Sequence, residues 1–419
     1  MMSLRSRPKS TTVGPRPRVL RGRWRVWRAL LVSALLAVSA GPLTALPAQA
    51  STSYVEIAAQ GPNYSLMVYW QADGTTKWYS HQVAGANSTF SSPVLEIQPD
   101  GNAAIVAADV YGGLHFYWAP VASTDWHSET VAPADTVCPV CTPAFGTQRS
   151  LSGKPKPDVV IVASAGAAYG DDGLFAFTEP NGGGGWSRQL IPGSGAQGQP
   201  GSSAGSDQPE LTVLPDNTIV VASDFYASDQ GFFRLAPGST VWFELDLDAD
   251  GITEDNYIYD VLDIGAQSNG TVVTSWINQT TGALQYMTNA EGSGTWNLWN
   301  VTVNDSMDIF SIPSLAVTAS GVAILASDNS GCMFEAYTPN GSSPSWSADA
   351  VSCTDPGAYA TLAALPNNGG LVVASDTQKG LLFYWQGADS TVWHPETVDS
   401  TPFYGDAEAS VATSPSSLY

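Results

Sequence analysis

The chain has 419 residues, with 16 Lys and Arg against 38 Asp and Glu, and a formal net charge of −22. Residues 1–50 contain nine of the basic residues and no acid, so the rest of the chain has a formal charge of −31. A field of this sign repels phosphate backbones and anionic lipid headgroups, which excludes nucleic acid and acidic membranes as expected partners.

The first 50 residues have the pattern of a signal peptide. A basic segment over residues 1–28 precedes an uncharged apolar run over residues 29–38, and Gly41-Pro42 then interrupts the chain. Ala48-Gln49-Ala50 supplies the small-x-small pattern of a cleavage site. The alternative is an uncleaved anchor helix, but the run is short for a membrane span. We therefore expect a secreted, extracellular protein with no membrane span in its mature part.

Seven tryptophans recur in one local context. An apolar or aromatic run and a turn cluster precede each of them, a pattern that predicts a β-hairpin. In the second copy, the hairpin strand at residues 114–118 follows two further apolar runs, at residues 93–97 and 105–109. Each unit is thus predicted to contain four antiparallel strands. The recurring tryptophans, at intervals of 47 to 60 residues, are Trp78, Trp126, Trp186, Trp242, Trp296, Trp346 and Trp393.

Four-stranded units at this period are typical of propeller blades. The first hairpin, at residues 66–83, has one clear strand before it, and residues 407–413 resemble an isolated first strand. The sequence therefore predicts that residues 51–419 form a single all-β, seven-bladed propeller of four-stranded antiparallel blades, closed when the C-terminal strand pairs into the first blade. A count of six or eight blades would require a miscounted unit.

The four cysteines predict two disulfides, as an even count does in an exported protein. Cys332 begins the third strand of the sixth unit and Cys353 ends the fourth, so the two face each other across a hairpin. Cys138 and Cys141 form a C-x-x-C pair, which is also half of a zinc site or a redox motif. No second C-x-x-C accompanies it, and a small structural disulfide is the favoured interpretation.

An acidic loop at residues 246–254 is the candidate metal site. Asp246, Asp248, Asp250 and Glu254 stand at positions 1, 3, 5 and 9, with Gly251 at position 6. Alternate carboxylates in a tight loop converge their oxygens on one point, as Ca²⁺ requires. The segment resembles the calcium loops of integrin-type propellers and of EF-hands, and this resemblance implies a structural Ca²⁺. The alternative is an acidic linker between blades.

The hairpins resemble the degenerate Asp-box of sialidase-type propellers, with residues 73–78 as the best copy. That box is a folding element. Sialidases also need three arginines at equivalent positions, and Arg149, Arg188 and Arg234 do not occupy such positions. A second resemblance is to the seven-bladed lectins of bacteria and fungi, which bind sugars between adjacent blades against an aromatic ring. It implies sugar binding by aromatic and His residues of units one, two and seven: Trp70, Trp78, Trp118, Trp126, His127, Trp385, Trp393 and His394.

The leading hypothesis is therefore a carbohydrate-binding, lectin-like propeller whose partners are neutral glycans or cell-surface polysaccharide. Units two and seven share the pattern Trp-His-x-Glu-Thr-Val, which places the His and Glu on the strand face opposite the Trp. No residue is predicted to be catalytic, because no nucleophile, phosphate-binding or dinucleotide motif occurs. The alternatives are a glycoside hydrolase or polysaccharide lyase with acids on the central face, and a protein-interaction scaffold whose tryptophans only pack the core.

Overall fold

The computed structural model describes most of the chain between residues 54 and 414. The predicted signal peptide, residues 1–50, lies outside the described residues, and residues 51–419 form one compact unit. The described residues are 54–72, 75–149, 158–165, 173–179, 185–192, 194, 208–225, 229–245, 262–278, 281–290, 293, 295–301, 313–318, 321–327, 332–339, 345–353, 359–365, 370–376, 380–387, 390–401 and 409–414.

The regular structure of these residues is β-strand, apart from one turn of 3₁₀ helix at Pro62–Tyr64. The described strands are β1 (Tyr54–Gly61), β2 (Ser65–Ala72), β3 (Tyr79–Ala84), β4 (Val94–Ile97), β5 (Asn102–Ala108), β6 (Leu114–Pro120), β7 (His127–Ala132), β8 (Ala144–Gln148), β9 (Asp158–Ala165), β10 (Gly173–Glu179), β11 (Ser187–Leu190), β12 (Glu210–Val213), β13 (Ile219–Phe225), β14 (Asp229–Leu235), β15 (Trp242–Leu245), β16 (Asp263–Ala266), β17 (Val272–Asn278), β18 (Ala283–Asn289), β19 (Trp296–Asn300), β20 (Ser314–Val317), β21 (Gly321–Ser327), β22 (Met333–Pro339), β23 (Ser347–Ser352), β24 (Tyr359–Ala364), β25 (Gly370–Asp376), β26 (Gly380–Gln386), β27 (Trp393–Asp399) and β28 (Ser410–Thr413).

These strands form four-stranded antiparallel sheets, and the sheets of the described chain number seven. The prediction of an all-β propeller built from four-stranded antiparallel blades is confirmed. The blades, numbered in chain order, are β28-β1-β2-β3, β4-β5-β6-β7, β8-β9-β10-β11, β12-β13-β14-β15, β16-β17-β18-β19, β20-β21-β22-β23 and β24-β25-β26-β27.

The last strand, β28, pairs into the first blade. It runs antiparallel to β1, with Val411 opposite Ile57. Beyond this ladder, the Tyr54 N–H donates to Ser414 Oγ at 2.9 Å, and the Ser414 N–H donates to the Tyr54 carbonyl at 3.0 Å. The predicted closure by a C-terminal strand is therefore confirmed, and it leaves no unpaired edge on the inner side of β1.

Neighbouring blades cover each other's faces. The second strand of blade 2, β5, is buried at every residue except Asn102, whereas the outermost strand of blade 3, β11, is exposed throughout. Apolar side chains of the described residues form seven clusters, each shared by two successive blades, and one of them joins blade 7 to blade 1. Because each blade is apolar on both faces, the ring buries surface that a single blade would leave exposed to water.

Two glycines let the innermost strands of successive blades approach closely. A Cβ at Gly265 in blade 5 would lie 2.7 Å from Val317 Cγ2 and 2.9 Å from Leu315 Cδ2 of blade 6. Gly146 has the same relation to Leu211 of blade 4. Larger residues at these two positions would push the blades apart.

Three hydrogen bonds join neighbouring innermost strands around the central channel. In each, a side-chain oxygen near the start of one innermost strand accepts from the backbone N–H of the neighbouring strand. The bonds are Leu315 N to Asp263 Oδ2 at 2.6 Å, Leu362 N to Ser314 Oγ at 3.0 Å and Leu95 N to Ser410 Oγ at 3.0 Å. They align blades 5 with 6, 6 with 7, and 1 with 2.

Both predicted disulfides are present. Cys138 bonds to Cys141, and Cys332 bonds to Cys353, 21 residues away. The second pair flanks the hairpin of β22 and β23, in which Met333 lies opposite Ser352. It therefore ties the outermost strand of blade 6 to its neighbour.

Replacing Cys332 and Cys353 together by serine is expected to lower the free energy of unfolding by about 3 kcal/mol, because the unfolded chain regains the freedom of the opened loop. Urea titration of the oxidised protein measures the loss. The double serine variant of Cys138 and Cys141, which opens a much shorter loop, is the control and should lose less. A Cys332/Cys353 variant as stable as the unmodified protein would contradict the prediction.

Candidate functional site

The recurring tryptophans pack between blades. Each lies in, or packs against, the apolar cluster that its own blade shares with the preceding blade. Trp242, Trp296 and Trp393 are buried, whereas Trp78, Trp126, Trp186 and Trp346 are half-buried. Their shared role is to join each blade to its neighbour.

Two of the tryptophans predicted to bind sugar, Trp126 and Trp393, pack between blades. Trp393 is only 9% exposed and lies within the cluster of blades 6 and 7, so its ring does not offer a stacking surface. Trp126 packs against the cluster of blades 1 and 2, and its Nε1 donates to the Ser123 carbonyl at 3.1 Å. Both residues face the preceding blade, and their own His and Glu, one and three positions later, lie on the opposite strand face because side chains alternate along a strand.

The third-strand tryptophans have a different arrangement, repeated in blades 1, 2 and 7. Each is half-buried and stacks on the residue opposite it in the fourth strand. The pairs are Trp70 with Tyr79 at 5.8 Å between ring centroids, Trp118 with His127 at 5.4 Å, and Trp385 with His394 at 4.3 Å. Trp385 and His394, both predicted to bind sugar, are thus brought together, and so are Trp118 and His127.

Glu396 joins blade 7 to blade 1 through three hydrogen bonds. Its Oε2 accepts from Trp78 Nε1 and from Gln71 Nε2, both at 3.0 Å, and its Oε1 accepts from Trp385 Nε1 at 3.0 Å. Trp78 also packs edge-on against Phe383, with 5.0 Å between centroids. We call Gln71, Trp78, Trp385, His394 and Glu396 the junction cluster.

Donors among the described residues leave one accepting position on Glu396 in the junction cluster. An ionised carboxylate offers about four lone-pair sites, and protein donors fill three of those on Glu396. The remaining site is on Oε1, the oxygen that Trp385 also contacts. A hydroxyl that donates there would lie beside the Trp385 and His394 rings. The cluster therefore combines an aromatic surface with a fixed acceptor.

The same residue types recur between blades 2 and 3 with different contacts. Phe116 and Glu129 occupy the positions of Phe383 and Glu396, and Trp186 packs edge-on against Phe116 at 5.7 Å. Glu129, however, is exposed, and Trp186 Nε1 is buried without a hydrogen-bond partner among the described residues. The shared sequence pattern therefore produces a connected cluster only between blades 7 and 1.

Sequence reasoning missed a facing pair of carboxylates in blade 6. Glu335 in β22 lies opposite Asp349 in β23. Burial, with the nearby Asp349 charge, raises the pKa of Glu335 to about 7. The sequence signal for this pair is Glu335 itself, an acidic residue within the otherwise apolar run of β22. This pair lies in the outer half of its blade, away from the central face that the enzyme hypothesis requires.

The central channel contains another buried acid. A cavity of about 220 Å³ lies there, lined by residues of the innermost strands β4, β12, β16, β20, β24 and β28 and by Thr142, which precedes β8. Burial raises the pKa of Asp263 there to about 6, although bonds from Leu315 N, Ile264 N and Ser314 oppose the shift. Those bonds make Asp263 a structural group that aligns blades 5 and 6.

The predicted metal ligands Asp246, Asp248, Asp250 and Glu254 lie outside the described residues. Among the residues that are described, no group of three or more His, Cys, Asp or Glu side chains is placed to hold a metal ion. Asp73 and Gly74, in the best Asp-box copy, also lie outside the described part. No helix within that part has the length and apolar character that crossing a membrane requires.

No protein-family model matches the chain, and no curated protein matches its sequence. Among solved structures, Aleuria aurantia lectin is 11% identical with a TM-score of 0.49, covering 76% of this chain and 99% of that one. That protein is described as six-bladed with a fucose recognition mode, whereas the sheets described here number seven. BP39L lectin from Burkholderia pseudomallei is 15% identical with a TM-score of 0.64, covering 84% of this chain and 96% of that one. The chain thus shares its fold with BP39L.

Proposed function

We propose that this protein is a lectin-like propeller that binds neutral carbohydrate at the junction of blades 7 and 1. The observation that carries the proposal is the junction cluster, in which Glu396 is fixed by Gln71, Trp78 and Trp385 beside the stacked Trp385 and His394 rings. Small-ligand sites typically combine apolar and aromatic walls with a few fixed polar groups. A sugar offers an apolar face for the rings and hydroxyls for the free Glu396 position.

Two further observations support neutral sugar as the ligand class. BP39L, which shares the fold, is a lectin. The formal charge of −31 outside residues 1–50 repels acidic polysaccharides. Neutral glycans, including those of cell-surface polysaccharide, are therefore the proposed partners.

Glu396→Gln and Trp385→Ala are each expected to weaken binding to an array of neutral glycans by at least about tenfold. Gln presents an amide N–H₂ where Trp78 or Trp385 must donate, and the lost charge-assisted bonds correspond to about 1.5 kcal/mol or more. Trp385→Ala removes the stacking surface. Array binding followed by titration with the best monosaccharide measures both effects.

Phe243→Ala is the matched control, because Phe243 is an exposed aromatic residue in blade 4, far along the ring. It should bind glycans as the unmodified protein does. Trp118→Ala reports whether the junction of blades 2 and 3 also binds. The proposal fails if the unmodified protein binds no neutral sugar, or if both junction variants bind unchanged while remaining folded.

The proposal also includes three features of the chain as a whole: a ring of seven blades, secretion and a structural Ca²⁺. A ring of seven blades is supported by the seven sheets and by the seven apolar clusters between successive blades. Secretion after cleavage of residues 1–50 is supported by their basic and apolar pattern, and two disulfides are consistent with an oxidising compartment. A structural Ca²⁺ held by residues 246–254 stays a prediction, for which calcium titration monitored by thermal unfolding is the test.

A further inference from the structure

A cleft of about 400 Å³ opens at the other end of the blade 7 and blade 1 junction. It lies where the turn between β1 and β2 meets the end of β27, whereas the junction cluster lies toward the β2–β3 and β26–β27 turns. Its lining includes Asn63, Tyr69, Gln82, Asp399 and Thr401. The volume falls in the range of small-molecule sites.

Asp399 is the only charged side chain among the described residues that line this cleft. Its Oδ2 accepts from the Tyr69 hydroxyl at 2.9 Å, and its Oδ1 accepts from Thr401 N at 2.8 Å. Partial burial acts to raise the pKa of Asp399, but the bonds from Thr401 and Tyr69 outweigh it and hold the pKa below its ordinary value. The cleft therefore contains an ionised carboxylate, and no described lining residue supplies the opposite charge.

The wall of the cleft is already formed. Asn63 and Tyr64 both have left-handed backbone angles, with φ of 57° and 59°, which Asn tolerates but which are costly for a bulky residue such as Tyr64. Hydrogen bonds fix this turn, because the Asn63 carbonyl accepts from Asn87 N at 2.9 Å and the Tyr64 carbonyl accepts from Thr89 N at 3.0 Å. A ligand would thus meet a rigid site and spend little free energy on ordering it.

The corresponding position between blades 1 and 2 lacks the acid. Tyr117 occupies the place of Tyr69, and Ala84 the place of Asp399. Tyr117 and Ala84 belong to one apolar cluster. The carboxylate thus distinguishes the junction between blades 7 and 1 from the junction between blades 1 and 2, which packs without it.

From this geometry we infer that the cleft binds a small organic cation, with a protonated amine against Asp399 and polyol or amide groups against Asn63 and Gln82. The charge of the whole chain favours the approach of a cation. An amino sugar has the required chemistry, since it carries an ammonium group and hydroxyls on one small ring. This site is separate from the one proposed for neutral glycans.

Calorimetric titration of the mature protein with glucosamine at mildly acidic pH, against glucose and N-acetylglucosamine, tests the inference. Glucosamine should bind, and the two neutral sugars should bind at least about tenfold more weakly in this cleft, because a charge-assisted bond to Asp399 is lost. Added salt should weaken only the glucosamine binding.

Asp399→Asn should reduce glucosamine affinity by at least about tenfold. Ala86→Arg places a cation at the exposed rim of the cleft and should block glucosamine without disturbing buried residues. Trp385→Ala, in the junction cluster, should leave glucosamine binding unchanged, which separates this inference from the neutral-glycan proposal. The inference is overturned if glucosamine binds no more tightly than glucose. It is also overturned if folded Asp399→Asn and Ala86→Arg variants bind glucosamine as the unmodified protein does.

Discussion

Glu56→Gln is expected to raise the free energy of unfolding by about 3 kcal/mol above pH 7 and to change it little below pH 4. Glu56 is 1% exposed, and one of its carboxylate oxygens has no hydrogen-bond partner among the described residues. Burial raises the pKa of Glu56 to about 7, and the bond from the Ala122 N–H only partly opposes this. The folded protein therefore favours the protonated acid.

The direction of the pH dependence follows from this shift. Below the ordinary pKa of about 4.5, Glu56 is protonated in both folded and unfolded chains and costs nothing. Between about 4.5 and 7 the unfolded chain loses its proton first, so the free energy of unfolding falls as pH rises. Glutamine keeps an acceptor for Ala122 and has no charge, so the variant gains stability over that interval.

Urea titrations at a series of pH values measure the difference. Glu96→Gln should show the same pH-dependent gain in stability. Burial also raises the pKa of Glu96 to about 7, although the bonds from Thr147 oppose the shift. Glu129→Gln removes an acid from an exposed strand and controls for net charge. The prediction is contradicted if the gain in the free energy of unfolding of Glu56→Gln is the same at acidic and alkaline pH.

Removal of residues 407–419 is expected to cost about 5 kcal/mol or more, which is comparable with the whole stability of many domains. The deletion takes away the β28 ladder on β1. It also removes the buried side chains of Ala409 and Val411 and the bond from Leu95 N to Ser410. Each buried Val and each lost ladder bond contributes about 1 to 3 kcal/mol.

The exposed edge of β1 should then pair with other chains, so soluble monomer should be lost and aggregates should form. Size-exclusion chromatography and thermal unfolding measure both effects. A chain that ends at residue 415 keeps β28 and is the matched control. If the chain lacking residues 407–419 remains monomeric and unfolds at the same temperature as the control, closure does not depend on this strand.

The strands of the fold could be predicted because each carries its own local signals. Apolar runs such as the one that becomes β6, separated by turn residues and repeated with a tryptophan, recur in every unit. The closing strand was also visible, because the first unit lacked a strand and the end of the chain supplied one. The local sequence pattern and the geometry of the ring agree for these strands, so the sequence was sufficient to predict them.

The candidate site was predicted less well, because its contacts join residues at opposite ends of the chain. Glu396 meets Gln71 and Trp78 across 325 and 318 positions, and that meeting exists only after the ring closes. Gln71 carries no signal in its own segment. The sequence also does not show which tryptophans face a neighbouring blade, and the packing of Trp393 against blade 6 is visible only in the structure.

The bonds between Tyr54 and Ser414 place the entry and exit of the propeller side by side on blade 1. A short connecting peptide could therefore join the two, with a new opening cut between any other pair of blades. Every blade except the first already consists of consecutive strands, so such a circularly permuted chain would make all blades continuous. Which blade comes first along the gene is thus separable from the order of the blades around the ring.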